Sequence, residues 1–253
     1  MKQTGIRHFS GKRVWIIGAS SGIGEACAKK LIEQGARVAL SRRRVERLNT
    51  IAETAKANQT LVVPIDVTNN DQLQQGYESI FDTWGAIDLL LFVSGIYTPQ
   101  RANYFDFSAA EQTIDANLLG PMRAVALVLP EMLKRHEGHT AIVGSVAGYS
   151  GLPKALAYGP SKAATINFCE TLYYDLLPEG VSVHMISPEF VATEATAQND
   201  FEMPALISTD EAAKEILNGI QKKGGVDIHF PKRFSGFLKF LRILPYPIYF
   251  WIV

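Results

Sequence analysis

Tyr158 and Lys162 stand four residues apart, so that on a helix a phenol and an ammonium share one face. A free phenol has a pKa of about 10 and is a poor acid or base near neutrality, so its chemistry depends on a positive charge that favours the phenolate. At an effective dielectric of about 20 and a separation of ~4 Å, such a pair interacts by roughly 4 kcal/mol, enough to draw the phenol well down. More than a hundred residues upstream, the apolar run Arg13 to Ile17 (RVWII) leads straight into Gly18, Ala19, Ser20, Ser21, Gly22, Ile23 and Gly24. Glycine at 18 allows a tight turn, at 22 a close approach of backbone to a phosphate, and at 24 close packing of helix on strand. The backbone N–H groups that open the next helix then face an anion. Each feature has a plain alternative, a surface Tyr/Lys pair or a structural turn. The glycine spacing, three residues and then one, also differs from the commoner dinucleotide fingerprint.

The elements that must hold these groups can be read from the same pattern. Glu25 to Gln34 carries Ala26, Cys27, Leu31 and Ile32 on one stripe and stops at Gly35, as a helix does. Strands are expected near Arg13 to Ile17, Arg37 to Leu40, Thr60 to Val63, Leu89 to Val93, Thr140 to Gly144, Val181 to Ile186 and Asp227 to Phe230, with helices between them. Such alternation implies a doubly wound, Rossmann-like parallel sheet with helices on both faces. A late helix starts at Ser208, with Glu211 completing a capping box. The irregular stretch from about Phe190 to Ile207 is the expected substrate lid. At 253 residues, 47% hydrophobic and 20% charged, the chain suits one α/β domain over residues 1–231, with residues 232–253 as an apolar and basic tail of that domain.

At these residues the chain resembles the short-chain dehydrogenase/reductase family, whose nucleotide motif is Gly, three residues, Gly, one residue, Gly, and whose active-site motif is Tyr, three residues, Lys. Ser145 lies 13 residues before Tyr158 in a GSVAG stretch like the family's serine segment, and Asn117 in DANLLG matches its helix-four asparagine. Asp66 in IDVT is similar to the aspartate that contacts adenine. The likeness spans about residues 10 to 230. It implies hydride transfer between a nicotinamide cofactor and a carbonyl or secondary alcohol. Ser145 then donates a hydrogen bond to the carbonyl, Tyr158 moves the proton, Lys162 steadies the phenolate and binds the nicotinamide ribose, and Asn117 orders a water that links the lysine to solvent. It also implies cofactor contacts at Gly18, Ser20, Ser21, Gly22, Ile23, Gly24, Asp66, Val67, Gly95, Pro188, Val191 and Thr193. The chain departs from the pattern in three places. Phe92, Val93, Ser94 and Gly95 replace Asn, Asn, Ala, Gly; Ile17 replaces a Thr; and Glu189 follows Pro188 where a Gly is usual.

The second strand ends in Ser41, Arg42, Arg43 and Arg44 rather than in a carboxylate. A carboxylate there would suit the ribose of NAD, whereas a forked guanidinium suits the 2′-phosphate of NADP, so NADP(H) is the expected cofactor, with Ser41, Arg42 and Arg43 as its partners. Ile96, Tyr97, Pro99, Phe190, Val191, Phe201 and Met203 are expected to border the site and favour an apolar, lipid-like or aromatic carbonyl.

A net charge of +0 gives no reason to expect a nucleic-acid partner. The 5 His are scattered, with His136 and His139 flanking a turn, and no metal site is expected. Two cysteines, Cys27 and Cys169, and no secretory signal point to a reducing, cytoplasmic setting without disulfides. From Phe230 the chain reads FPKRFSGFLKFLRILPYPIYFWIV. Charges and the Pro245 and Pro247 pair interrupt it, so it suits a membrane surface better than a span of about 20 apolar residues. Packing over the chain's own pocket or against a second subunit is the alternative. The family's pairing helices fall from about Ser108 to Arg135 and from Tyr158 to Leu177, which suggests a homodimer or homotetramer. Two other functions compete: a non-catalytic NADPH-binding sensor, and a membrane-attached interaction protein.

Overall fold

The computed structural model describes residues 3–194, 196–198, 203 and 205–252. Near-continuous apolar runs form a seven-stranded parallel sheet, as expected for strands buried on both faces. The strands are β1 (Arg13–Ile17), β2 (Arg37–Ser41), β3 (Thr60–Val62), β4 (Leu89–Phe92), β5 (Gly138–Val143), β6 (Val181–Pro188) and β7 (Asp227–Phe230). Their order is β3-β2-β1-β4-β5-β6-β7, so the winding reverses between β1 and β4 and opens a crevice at the carboxyl ends of those strands. Every strand expected from the sequence is present, with small shifts at the ends.

The sheet is covered by α1 (Gly22–Glu33), α2 (Val45–Ala52), α3 (Asn70–Trp84), α4 (Phe107–Ile114), α5 (Gly120–Arg135), α6 (Tyr158–Leu176) and α7 (Thr209–Gln221), followed by α8 (Lys232–Arg242) and α9 (Tyr246–Ile252). Strand alternation divides the core in two. Val14, Ile16, Leu40 and Leu91 pack with Leu31 of α1 and Ile216 and Ile220 of α7. Trp15, Ile17, Leu90 and Phe92 pack on the other side with Leu73, Ile80, Val125 and Ile166. Each such side chain contributes about 1.5–3 kcal/mol by leaving water.

The stretch expected as one helix from about Ser108 to Arg135 is instead interrupted by a turn of π-helix, Asp115–Leu119, between α4 and α5. His136 caps α5 and His139 lies in β5, so the two flank a turn as expected, and the His139 ring stacks on His184 of β6 with Nδ1 and Nε2 3.1 Å apart. His184 Nδ1 sits 2.6 Å from the Gly225 carbonyl, which can only accept, so His184 Nε2 must accept from His139 Nδ1–H. Burial brings the two imidazoles down to about 3 and about 4, which leaves both neutral. No cluster of three or more metal-ligating side chains occurs among the described residues. Both cysteines are buried, with their thiols pushed up to about 12 by burial.

At the amino end of the sheet, Asp88 accepts from Arg13 Nη2 at 2.6 Å and Arg13 Nε at 2.9 Å, and Arg135 reaches the same carboxylate at 3.2 Å. The segment before β1 crosses to the far side of the sheet. Gln3 Oε1 accepts from Val183 N, the Gln3 carbonyl accepts from Gly224 N, and Ile6 N donates to the Ile220 carbonyl.

Candidate active site

Tyr158 opens α6, and Lys162 follows one turn later on the face turned toward the sheet. Lys162 is 4% exposed, its Nζ donates to the Val143 carbonyl at 2.9 Å, and it lies 5.6 Å from the centre of the Tyr158 ring. Ser145 leaves the end of β5, where its Oγ accepts from Ala147 N at 3.1 Å, and it lines the same cavity as Tyr158. Burial brings the Lys162 ammonium down to about 8. The same burial raises the Tyr158 phenol above its ordinary value, against the Ser145 hydrogen bond. That differs from the expectation that Lys162 would draw the phenol down: the ammonium is anchored on the Val143 carbonyl, and burial of the phenol outweighs its effect.

Asn117 sits in the π-turn. Its Oδ1 accepts from Ile96 N at 2.8 Å, and its Nδ2 donates to the Ile96 carbonyl at 2.9 Å and to Ser161 Oγ at 3.2 Å. The amide thereby clamps the loop after β4 to α6, and the extra residue in the π-turn rotates Asn117 into place. A Cβ on Gly95 would stand 3.1 Å from Asn117 Oδ1 and 3.5 Å from Lys162 Nζ. Of the four family residues after β4, only this glycine remains in the chain, and the close approach accounts for it.

Two adjoining cavities of about 210 and 280 Å³ run along the crevice and share Gly18, Arg42, Gly95 and Ile96. The first is lined by Ser145, Tyr158 and Lys162 together with Ser21, Gly22, Ile23, Tyr97, Pro188, Glu189, Val191 and Thr193. The second is lined by Arg43, Asp66 and Val67. Gly18 has φ +106°, and a Cβ there would stand 2.6 Å from Ser94 N, so the turn is pressed against the end of β4. Asn69, Asp106 and Ser208 cap α3, α4 and α7 with their side chains, but Ser21 makes no such bond at the start of α1. The first-turn N–H groups of α1 therefore remain available to an anion. Arg42 is held below the usual guanidinium range by burial and by Arg43 and Arg44, an environment in need of an anion. Arg43 lies 3.6 Å from Asp66, whose Oδ1 accepts from Thr68 N and Oγ1.

Several expected residues lie elsewhere. Ser41 is fully buried, and its Oγ accepts from Trp15 Nε1 at 2.9 Å, so strand alternation turns it into the core instead of toward a cofactor. Ser20 and Gly24 are buried within the glycine turn and Asn117 stands behind the cavity wall; none of the three lines it. Pro99 and Phe190 also lie off the cavity, and Met203 borders an open hollow of about 840 Å³ beside α1 that adjoins the first cavity at Ser21, Gly22 and Thr193. Phe201 lies outside the described residues. Ile96, Tyr97 and Val191 do line the site, with the Tyr97 ring edge-on to Tyr158 at 4.9 Å.

The sequence reading missed a link across the mouth. Arg47 of α2 pairs at 2.7 Å with Glu194 of the lid, 147 positions away, and no local pattern signals such a partner. The ends of the segment after β6 are tied by Ala192 N donating to the Ile207 carbonyl and Ile207 N donating to the Phe190 carbonyl. Glu189, noted in the sequence as a departure, presents two carboxyl oxygens that are sealed from solvent and meet no hydrogen-bond partner among the described residues.

The family model for short chain dehydrogenases matches residues 12–203. An uncharacterized oxidoreductase of Myxococcus xanthus is 34% identical over 92% of this chain and 93% of its own length. One from Staphylococcus epidermidis is 31% identical over 85% and 93%. Among solved structures, a short chain dehydrogenase of Burkholderia cenocepacia in complex with NADP superposes with a TM-score of 0.82 at 24% identity, over 93% of this chain and 94% of that one. A short-chain dehydrogenase from Streptomyces avermitilis gives 0.80 at 19% identity, over 91% and 92%.

Proposed function

The chain belongs to the short chain dehydrogenase family and is an oxidoreductase of that type; from that premise we propose that it interconverts a carbonyl and a secondary alcohol with NADP(H), acting on an apolar, lipid-like substrate. The observation that carries the reading is the convergence of the Ser145 and Tyr158 hydroxyls and the buried Lys162 ammonium on one cavity.

The residues present fit a dinucleotide. Gly18, Ser21, Gly22 and Ile23, with the uncapped start of α1, would hold its pyrophosphate, and Arg42 and Arg43 its 2′-phosphate. Asp66 and Val67 would border the adenine, and Pro188, Val191 and Thr193 the nicotinamide. When bound, the cofactor supplies the hydride in reduction and takes it up in oxidation. In reduction, Tyr158 holds the proton that the developing alkoxide needs, and its raised pKa keeps that proton in place at neutral pH. Ser145 donates a hydrogen bond to the same oxygen. Once the phenolate forms, the Lys162 ammonium beside the ring stabilises it electrostatically. Asn117 keeps the loop after β4 and α6 in register beneath them.

Apolar side chains from Ile96, Tyr97 and Val191 support the substrate class. A homodimer or homotetramer assembled through α4, α5 and α6, in a cytoplasmic setting, belongs to the same reading. The intact Ser, Tyr and Lys constellation favours an enzyme over a sensor.

The test is titration of NADPH and NADH into the purified protein, then a panel of lipid, aromatic and sugar carbonyls with wild type and Tyr158→Phe. NADPH preference with Tyr158-dependent oxidation of the cofactor supports the reading. Tight binding without turnover on any carbonyl would favour the sensor, and absence of nucleotide binding would overturn the proposal.

A further inference from the structure

We propose that α8 and α9 form a monotopic docking surface for an anionic lipid bilayer, placed beside the entrance to the active site. The inference rests on the tail and its packing and is independent of the reaction proposed above.

These helices are packed on one side and expose apolar side chains on the other. On the inner side, Ser235 and Leu241 of α8 and Tyr249 of α9 are 0%, 3% and 5% exposed, and Leu238 packs on the core. The tail is therefore fixed to its own domain. A surface helix of a soluble protein normally turns charged and polar residues outward. Here the outward side chains include Phe237, Phe240, Ile243, Tyr246, Phe250 and Trp251, with exposures from 48% to 86%. Tyr246 and Phe250 stack on each other at 5.7 Å. So dense a run of exposed apolar side chains marks an interaction surface.

Charge and composition select the occupant. Asp227 is the last acidic residue in the chain, whereas Lys232, Arg233, Lys239 and Arg242 all follow it. Lys239 is engaged inward, with Asp227 and over the Tyr149 ring, while Lys232 and Arg242 are exposed. Aromatic side chains interleaved with cations, and no anions, complement the boundary between headgroups and acyl chains of an anionic leaflet. A second copy of the same surface would bring like charges together instead. No helix among the described residues is long and apolar enough to cross a membrane, so the tail would lie in the surface.

The attachment of the tail sets the direction of the surface relative to the site. The Tyr249 hydroxyl donates to the Gly151 carbonyl, and Lys239 covers Tyr149. Both partners belong to the segment that runs from Ser145 to Tyr158. That segment is paired in turn with the loop beyond Tyr97, through Gln100 N donating to the Lys154 carbonyl. A bilayer bound at α8 and α9 thus lies next to the loops that frame the cavity, and an apolar carbonyl could enter without crossing water.

The experiment is co-sedimentation of the full-length protein with phosphatidylcholine vesicles and with vesicles of equimolar phosphatidylcholine and phosphatidylglycerol. Trp251→Ala, Phe240→Ala and Arg242→Glu are compared with wild type, and sedimentation velocity is run without lipid. These positions are exposed, and circular dichroism verifies that the variants fold. Binding to the anionic vesicles is expected, weakened roughly tenfold by Trp251→Ala and at least fivefold by Arg242→Glu, with no change in oligomeric state. Wild-type protein that stays in the supernatant with both vesicle types overturns the proposal. So does an oligomer that dissociates on Trp251→Ala without any vesicle binding, which would make the surface a contact between copies. Neither readout uses turnover, so failure here is separable from failure of the reductase reading.

Discussion

Replacing Glu189 by glutamine should make the protein's stability less dependent on pH, and the size of the effect follows from the pocket. Both Glu189 carboxyl oxygens are sealed from solvent without a hydrogen-bond partner among the described residues, and burial alone lifts the carboxyl from 4.5 to about 8. In the unfolded chain the group ionises above pH 4.5, while in the folded protein it stays protonated until about pH 8. Between those values the unfolded state binds fewer protons, so stability falls as pH rises. Each pKa unit corresponds to ~1.4 kcal/mol, which would give roughly 3–4 kcal/mol between pH 5 and pH 8 for a fully enclosed group. Glu189 is partly exposed, and solvent relaxation reduces this to about 1–2 kcal/mol. Glutamine has nearly the same shape and no proton to lose, so any cost of its own shifts the whole curve without tilting it. Urea unfolding of ligand-free wild type and Glu189→Gln at pH 5 and pH 8 measures the difference directly. The wild type should lose about 1–2 kcal/mol relative to the variant, or roughly 2–6 °C in Tm for a chain of this size. Parallel pH profiles would refute the reasoning and show that water or a neighbouring donor satisfies the carboxylate.

Arg42→Ala should weaken NADPH binding by roughly 10- to 100-fold, the loss of a charge-assisted contact, with little effect on NADH, as isothermal titration would show. Equal losses for both cofactors would remove Arg42 from phosphate recognition. Gly95→Ala places a methyl 3.1 Å from Asn117 Oδ1 and 3.5 Å from Lys162 Nζ. We expect it to lower kcat for carbonyl reduction by more than tenfold while Tm moves by only a few degrees, a split that thermal melts and steady-state kinetics can read. Asp88→Ala leaves the Arg13 and Arg135 guanidinium groups without their shared partner and should cost about 3 kcal/mol in urea unfolding at pH 7. The Asp88 carboxyl, although burial opposes it, is held below its ordinary value by Arg13. Wild type should therefore lose this contribution as pH falls through the acid range, and the variant should not.

The fold was legible because its strands are short apolar runs, bounded by turn residues, in which nearly every position is buried. RVWII and LLLF leave little else to form in a sheet covered on both faces. The chemistry was legible where it depends on local spacing, as with Tyr158 and Lys162 on one helix turn or the glycines before α1. What escaped reading depends on partners distant in the chain. Ser41 was taken for a cofactor ligand because it ends β2, yet the Trp15 indole across the sheet claims its hydroxyl. The break at Asp115–Leu119 leaves no composition signal, and the Asn117 side chain within it pairs with the Ile96 backbone 21 positions away. The protonation of Tyr158 was misjudged for a similar reason. Spacing sets the distance to Lys162, but burial of both groups sets the balance.

The strap formed by the segment before β1 imposes an order on synthesis. Gln3 leaves the ribosome 180 positions before its hydrogen-bond partner Val183, and Gly224 and Ile220 follow later still. Until α7 has emerged, Ile6 and Phe9, both buried in the finished protein, have no completed surface to cover. The β3-β2-β1-β4 half of the sheet can assemble early, whereas the strap can close only after β6 and α7 have emerged. Such closure joins the two ends of the fold into one cooperative unit, so a nascent chain stalled before α7 presents a formed cofactor turn on a domain that is still unlatched.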